Sequence, residues 1–93
     1  MARLFEWDET KAAANLAKHK VSFDEAQTVF DDPLFIIFAD PDHSLDEERC
    51  IILGESDRNR LLVVSFTERE GATRLISSRT ATRHERKAYE EEI

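Results

Sequence analysis

Three short apolar runs, Leu34–Ala39, Cys50–Leu53 and Leu61–Val64, follow one another through the middle of the chain, each bounded by polar or turn-forming residues. Runs this short fall far below the roughly 20 residues a membrane helix needs. Bounded by turns, they suit strands that are covered on both faces or lie centrally in a sheet. Thr73–Arg79 mixes apolar and polar positions and fits a fourth strand with a more exposed end. Ser56–Asn59 and Arg69–Gly71 are hairpin-length connections, and Pro41–Glu48 is a longer polar loop. Strands joined this way form an antiparallel meander.

Upstream of the runs the pattern is helical. Arg3–Trp7 reads as a short first strand, and Asp8 is placed to N-cap a helix reaching Lys18 or His19. At 100° per residue Ala12, Ala13, Leu16 and Ala17 share one side of it, and Lys11, Asn15 and Lys18 the other, which predicts a donor-rich polar face. Ser22 and Glu25 have the spacing of a capping box. The helix they open carries Phe23, Ala26, Val29 and Phe30 on one stripe and stops at Asp31-Asp32-Pro33. Thr82 and Glu85 form a second capping box, opening a last helix from Arg83. The order β-α-α-β-β-β-β-α predicts one α+β domain over residues 1–93, with helices on one face of a four-stranded meander.

Charge is unevenly spread. The net −7 divides into −8 from residues 1–48, +4 from residues 49–87 and −3 from the last six. A basic sub-surface on an acidic body suits a phosphate-bearing ligand at one place and a basic protein partner at another. The opening MARLFEWDET has no apolar h-region, and the single Cys50 has no internal disulfide partner. Together with the lack of a long apolar span, this leads us to expect a cytoplasmic protein without a membrane partner.

Familiar catalytic constellations are missing from the sequence. His19, His43 and His84 are far apart, with no H-x3-H or C-x-x-C spacing, so no metal or other cofactor is expected. Asp40-Pro41-Asp42-His43 gathers metal-ligand types but fits a solvated turn better. Cys50 opens an apolar run and reads as core. There is no G-x-S-x-G elbow and no glycine-rich phosphate loop.

What remains is a group of arginines, Arg58, Arg60, Arg69, Arg74, Arg79 and Arg83, near Glu68, His84 and Tyr89. RNA cleavage without a metal needs parts of this kind: a base for the 2′-OH, cations for the phosphoryl oxygens, and an acid for the departing 5′ oxygen. Ordinary roles compete: Glu68 as the partner of a nearby arginine, His84 as an exposed first-turn residue, Tyr89 as packing. Arg74 and Arg79 are five residues apart and face opposite sides of a regular strand. They share a site only if the strand ends or bulges between them, with Ser77-Ser78 a suitable place.

Several segments also resemble one family. Phe5–Lys11 (FEWDETK), Asn15–Phe23 (NLAKHKVSF) and Glu25–Pro33 (EAQTVFDDP) are similar to the BrnT toxins. So are Asp40–Ser44, Glu47–Arg49, Leu53–Ser56, Arg60–Val64 and Arg74–Glu90 (RLISSRTATRHERKAYE). The resemblance implies a RelE-like fold, endoribonuclease activity that arrests growth, and neutralisation by a BrnA-like antitoxin that carries the pair to operator DNA. On this reading Arg79 is the main phosphate donor, Arg74 or Arg69 a second, and Glu68 and His84 the proton carriers. Lys18 and His19, with Arg58, Arg60 and Arg83, would hold flanking RNA. The chain departs from the family pattern at Lys20, where glycine is usual, which predicts a differently shaped helix end. It departs again at Thr80, where a further basic residue is frequent, which predicts one phosphate donor fewer. The competing expectation is a non-catalytic toxin-fold subunit that acts as an antitoxin-binding corepressor.

Overall fold

A computed structural model describes residues 3–40 and 49–91. The Pro41–Glu48 loop, and with it most of the Asp40–His43 group, lies outside the described residues. The elements are β1 (Phe5–Glu6), α1 (Glu9–His19), α2 (Phe23–Gln27), a 3-10 turn (Thr28–Asp31), β2 (Ile36–Ala39), β3 (Arg49–Glu55), β4 (Leu61–Arg69), β5 (Ala72–Thr80) and α3 (Arg83–Glu91). One five-stranded sheet runs β1-β5-β4-β3-β2. The expected meander β2–β5 is there, but β1 joins it parallel to β5, pairing Phe5 with Thr73 and Glu6 with Arg74, so the sheet is mixed.

Helices cover both faces of the sheet, correcting the one-sided arrangement expected. On one face Val21, Phe23, Ala26 and Val29 pack on Ile52, Leu62, Val64, Phe66 and Leu75. Edge-to-face rings Phe5–Phe30 and Phe30–Phe66 close the end of that core. On the other face Tyr89 of α3 joins Leu53, Leu61 and Val63. Consecutive apolar residues in β3 and β4 therefore feed two cores, which is why their runs lack alternation.

Local signals place most of the element ends. Asp8 caps α1 by accepting from the Lys11 N–H at 3.0 Å. The β4–β5 connection turns on Glu70 and Gly71, both at positive φ (51° and 83°), as a two-residue hairpin of the primed type requires. At Gly54 a side chain would meet Val29 Cγ1 at 2.9 Å, so the glycine lets β3 run close beneath the 3-10 turn.

Three further expectations are corrected. The face of α1 that turns inward carries Asn15, while Leu16 is half exposed. Asn15 Nδ2 donates to Val21 O (2.9 Å) and Ser78 O (2.8 Å), and its Oδ1 accepts from Ser78 N–H (3.0 Å). The carboxamide thus serves as a strand neighbour for β5 beyond the point where β1 ends. Glu25 does not turn back to cap its own helix; only the Ser22 half of that box forms. Its carboxylate is buried and holds Arg60 and the Ser56 hydroxyl. Finally, Leu34–Ala39 is not central: β2 is an edge strand with exposed Ile37 and Phe38.

Candidate functional site

One irregularity decides which arginines share a side of the sheet. Along β4 and β5 the pairing passes from Ser65↔Ser77 to Phe66↔Leu75, leaving Ile76 as an extra residue on β5. Partners in a ladder point to the same side, and the extra residue resets the alternation. Arg79 (opposite Val63), Ser77 (opposite Ser65) and Arg74 (opposite Thr67) consequently share the α3 side of the sheet. The expected bulge exists, one position earlier than Ser77-Ser78.

Three rows result across that face. Glu6, Arg74, Thr67 and Arg49 form one, Ser77, Ser65, Ile51 and Phe38 the next, and Arg79, Val63, Leu53 and Ile36 the third. Tyr89 packs over the third row at Val63 and Leu53. The first two rows are hydroxyl- and arginine-bearing at their β4–β5 end. Arg74 is anchored by Glu6 at 2.7 Å, and Arg69 lies on the same side beyond it. Arg74 and Arg79 sit about 14 Å apart along the strand, the rise of four partner residues.

The chemistry at the Arg79 end is built by the N-terminus of α3. Thr82 and Glu85 cap reciprocally: the Glu85 N–H donates to Thr82 Oγ1 (3.1 Å), and the Thr82 N–H to Glu85 Oε1 (2.9 Å). The same carboxylate takes a two-pronged ion pair from Arg79, with Nη1 at 2.8 Å and Nη2 at 2.9 Å. The guanidinium bonds, against the opposing cost of burial and with help from the Thr82 N–H, bring the Glu85 pKa down to about 2. Nη1 also reaches Thr80 O at 3.3 Å, which leaves Nε–H and one Nη2 hydrogen of Arg79 for a ligand. The other end of α3 is tied by Tyr89, whose hydroxyl donates to Asp32 Oδ2 at 2.6 Å. Asp32 also accepts from the backbone N–H of Leu34 and Glu55.

The remaining sequence candidates are distributed as follows. His84 and Arg83 are exposed in the first turn of α3, next in sequence to Glu85. Glu68 is opposite Thr73 on the other side of the sheet, bound to Arg3 at 2.9 Å and to Thr73 Oγ1 at 3.0 Å. Lys18 and His19 end α1, on that same helix-covered side. Arg60 is bonded to Glu25 and to Lys20 O, and Arg58 is exposed in the adjoining turn. The structure therefore puts Arg69, Arg74 and Arg79 on one side of the sheet, with Arg83 and His84 exposed in the helix turn that holds Glu85, and sets Glu68, Lys18, His19 and Arg60 apart from them. It adds Arg49, Ser65, Ser77 and Glu85, which sequence reasoning had not placed at the site. The advance signal for the strand residues was strand parity, which the bulge resets on β5, and for Glu85 its capping-box spacing to Thr82.

The model of a family described as the ribonuclease toxin BrnT of type II toxin–antitoxin systems matches residues 7–85, spanning both the arginine-bearing strands and the α3 cap. The chain belongs to the BrnT family. Among solved structures it is similar to the Brucella abortus ribonuclease toxin BrnT, at 25% identity and a TM-score of 0.69, over 88% of this chain and 100% of that one. No curated protein matches it. As a BrnT-family ribonuclease toxin of a type II system, it has an antitoxin partner. Among the described residues no group of three or more His, Cys, Asp or Glu is arranged to hold a metal ion, and no helix is long and apolar enough to cross a membrane.

Both departures from the BrnT pattern acquire a physical meaning. Lys20 keeps the left-handed conformation (φ 61°, ψ 30°) and donates its N–H to Leu16 O, so the helix end retains a glycine-like shape and carries the strain instead. Thr80 pairs with Leu62, whose side chain lies in the helix-covered core. Position 80 thus faces away from Arg79, and a basic residue there would not reach the same phosphate from a regular strand.

Proposed function

We propose that this BrnT-family toxin cleaves RNA without a metal, by attack of a ribose 2′-OH on the adjacent phosphorus to leave a 2′,3′-cyclic phosphate. The observation that carries this reading is the bulge at Ile76, which turns Arg74 and Arg79 onto the same side of the sheet as Ser65 and Ser77. Arg79 stabilises charge gathering on the phosphoryl oxygens, where a planar guanidinium offers directed donors. Arg74 and Arg69 hold neighbouring phosphates. His84, beside the Arg79–Glu85 pair in sequence, is the proton carrier. Glu68 drops out of that role because it lies on the opposite side of the sheet. Glu85, with its pKa near 2, is too weak a base to share it and instead orients Arg79. The α+β architecture is read as RelE-like, the antitoxin as BrnA-like, operator DNA as reached only through the antitoxin, and the cytoplasm as the place of action.

Antitoxin-free protein incubated with total bacterial RNA, with and without EDTA, tests the proposal. Cleavage should survive EDTA, disappear in Arg79→Ala and fall sharply in His84→Ala. Loss of cleavage on chelation refutes the metal-free mechanism; full cleavage by Arg79→Ala refutes the site. One observation favours a second reading, a non-catalytic antitoxin-binding corepressor: Arg79 is already engaged by a carboxylate on both prongs. Intact RNA after exposure to folded protein, with or without ribosomes, would decide for it.

A further inference from the structure

We propose that the open edge of β2 is where the antitoxin adds an extended segment, apolar in its middle and basic at its ends. The proposal rests on the toxin–antitoxin family membership and is independent of how RNA is cut. Six large hydrophobic residues are exposed among those described, and four of them, Leu34, Phe35, Ile37 and Phe38, fall within five consecutive positions. They lie on or just before the strand that ends the sheet. Asp40 donates its N–H to Arg49 O at 3.0 Å, which fixes the alternation of the β2–β3 ladder. The N–H and C=O of Ile37 and Ala39 therefore point outward, away from β3. Ile37 lies on the Ile52 side of the sheet and Phe38 on the Ile51 side, so apolar surface is open on both sides of the edge. Proteins ordinarily blunt such an edge with charge, proline or a covering segment.

Charge selects the occupant. Where β2 begins, Asp31, Asp32, Glu55 and Asp57 line a shallow groove beside Pro33, and Asp40 follows the strand. A second copy of this chain would bring the same carboxylates against them, on a protein of net charge −7. A four-residue strand is also only about 13 Å long, and pairing two of them buries far less than the roughly 1,000 Å² of a stable interface. An antitoxin segment that pairs as a strand and folds over both sides, with lysine or arginine reaching the groove, satisfies the backbone, the apolar residues and the charge together. β2 lies three strands from β5, about 14 Å away, so this contact and the Arg79 site are separable by mutation.

Calorimetric titration of the toxin with its cognate antitoxin tests this. Ala39→Pro removes one outward N–H and leaves the β2–β3 bonds alone. Ile37→Lys removes apolar area and adds a charge that repels a basic segment. Leu4→Lys and Leu16→Lys are controls at exposed apolar sites elsewhere. Each edge variant, checked for an unchanged melting transition, should weaken antitoxin binding by about tenfold or more, the controls by less than about twofold. RNA cleavage by the toxin alone should stay at the wild-type level in the edge variants. Binding within about twofold of wild type in folded Ile37→Lys overturns the proposal. So does a toxin dimer, seen by sedimentation of the toxin alone, that the edge variants dissociate. RNA left intact by every form, wild type included, refutes the cleavage mechanism and leaves the edge result standing.

Discussion

Replacing Asn15 by alanine should be among the most damaging single changes available in this chain. The residue is 7% exposed and its side chain makes three hydrogen bonds, two of them to the backbone of Ser78 and one to that of Val21. Alanine leaves the Ser78 N–H, the Ser78 C=O and the Val21 C=O without those partners, between α1 and β5. Each stranded group costs about 1–3 kcal/mol when buried. Water entering from the sheet edge recovers part of this, so a total of about 3–4 kcal/mol is expected. A chain of this size holds about 5–14 kcal/mol of stability, so the change removes a large share. The corresponding fall in Tm is about 12–30 °C. Urea unfolding followed by circular dichroism measures it directly. Asn15→Asp should be at least as harmful at neutral pH, because the new carboxylate oxygen faces two carbonyls. A loss below about 1 kcal/mol for Asn15→Ala, at unchanged m, would refute the strand-mimic reasoning.

Three other outcomes are expected. Burial, aided by the hydrogen bond to Asp32, pushes the Tyr89 pKa up to about 12, and Tyr89 is the chain's single tyrosine. Phenolate absorbance should therefore appear near that pH, and Asp32→Ala should bring it down; a wild-type midpoint near 10 in folded protein would contradict the packing of α3. Glu85, held to about 2 chiefly by Arg79, and Glu25 and Asp32, both also lowered, favour the folded state only while ionised. Stability should thus be complete above the ordinary carboxylate range and decline as the pH falls through it toward about 2. Glu85 contributes about 1–2 kcal/mol of that decline after discounting for the exposure of Arg79. Urea midpoints across that range should fall less steeply in Glu85→Gln, and equal slopes would count against the ion pair. Lys20→Gly should relieve the left-handed strain and stabilise the chain by about 0.5–1 kcal/mol; an unchanged or lower Tm would show that Lys20 Nζ, bonded to Ala17 O, compensates for it.

Sequence made legible those parts of the fold that local chemistry controls. Asp8, Ser22 and the Thr82–Glu85 pair act at short range, and each caps where its spacing says it should. The apolar runs became strands, and Glu70-Gly71 turned the hairpin. What stayed hidden depends on distant partners. Hydropathy ranks Leu16 above Asn15 for burial, but Asn15 is drawn inward by a strand edge 63 residues away that needs its hydrogen bonds. Glu25 had a capping position and a half-buried cation to choose between, and Arg60, 35 residues on, won it. The run at Leu34–Ala39 is as apolar as a central strand because its composition records what it is suited to touch; it is open on the isolated chain.

The site was legible as a list of residues and illegible as an arrangement. Arg74, Arg79 and Glu68 all stand on the last two strands, so composition alone groups them. Alternation then sorts them: with Ile76 as an extra residue, Arg74 and Arg79 come to one side and Glu68 stays on the other. Without it, either Arg74 would join Glu68 against the helices or Arg79 would lose Glu85. Nothing in Leu75-Ile76-Ser77-Ser78 announces a bulge, since it lacks the glycine that often marks one. The arginines themselves were the signal. On the proposed RNA-binding role, two cations five residues apart serve one strand of RNA only from a β-strand one residue out of step, and the register has that step. A charge pattern that violates strand parity is therefore evidence for a bulge in its own right, even where the local residues are silent.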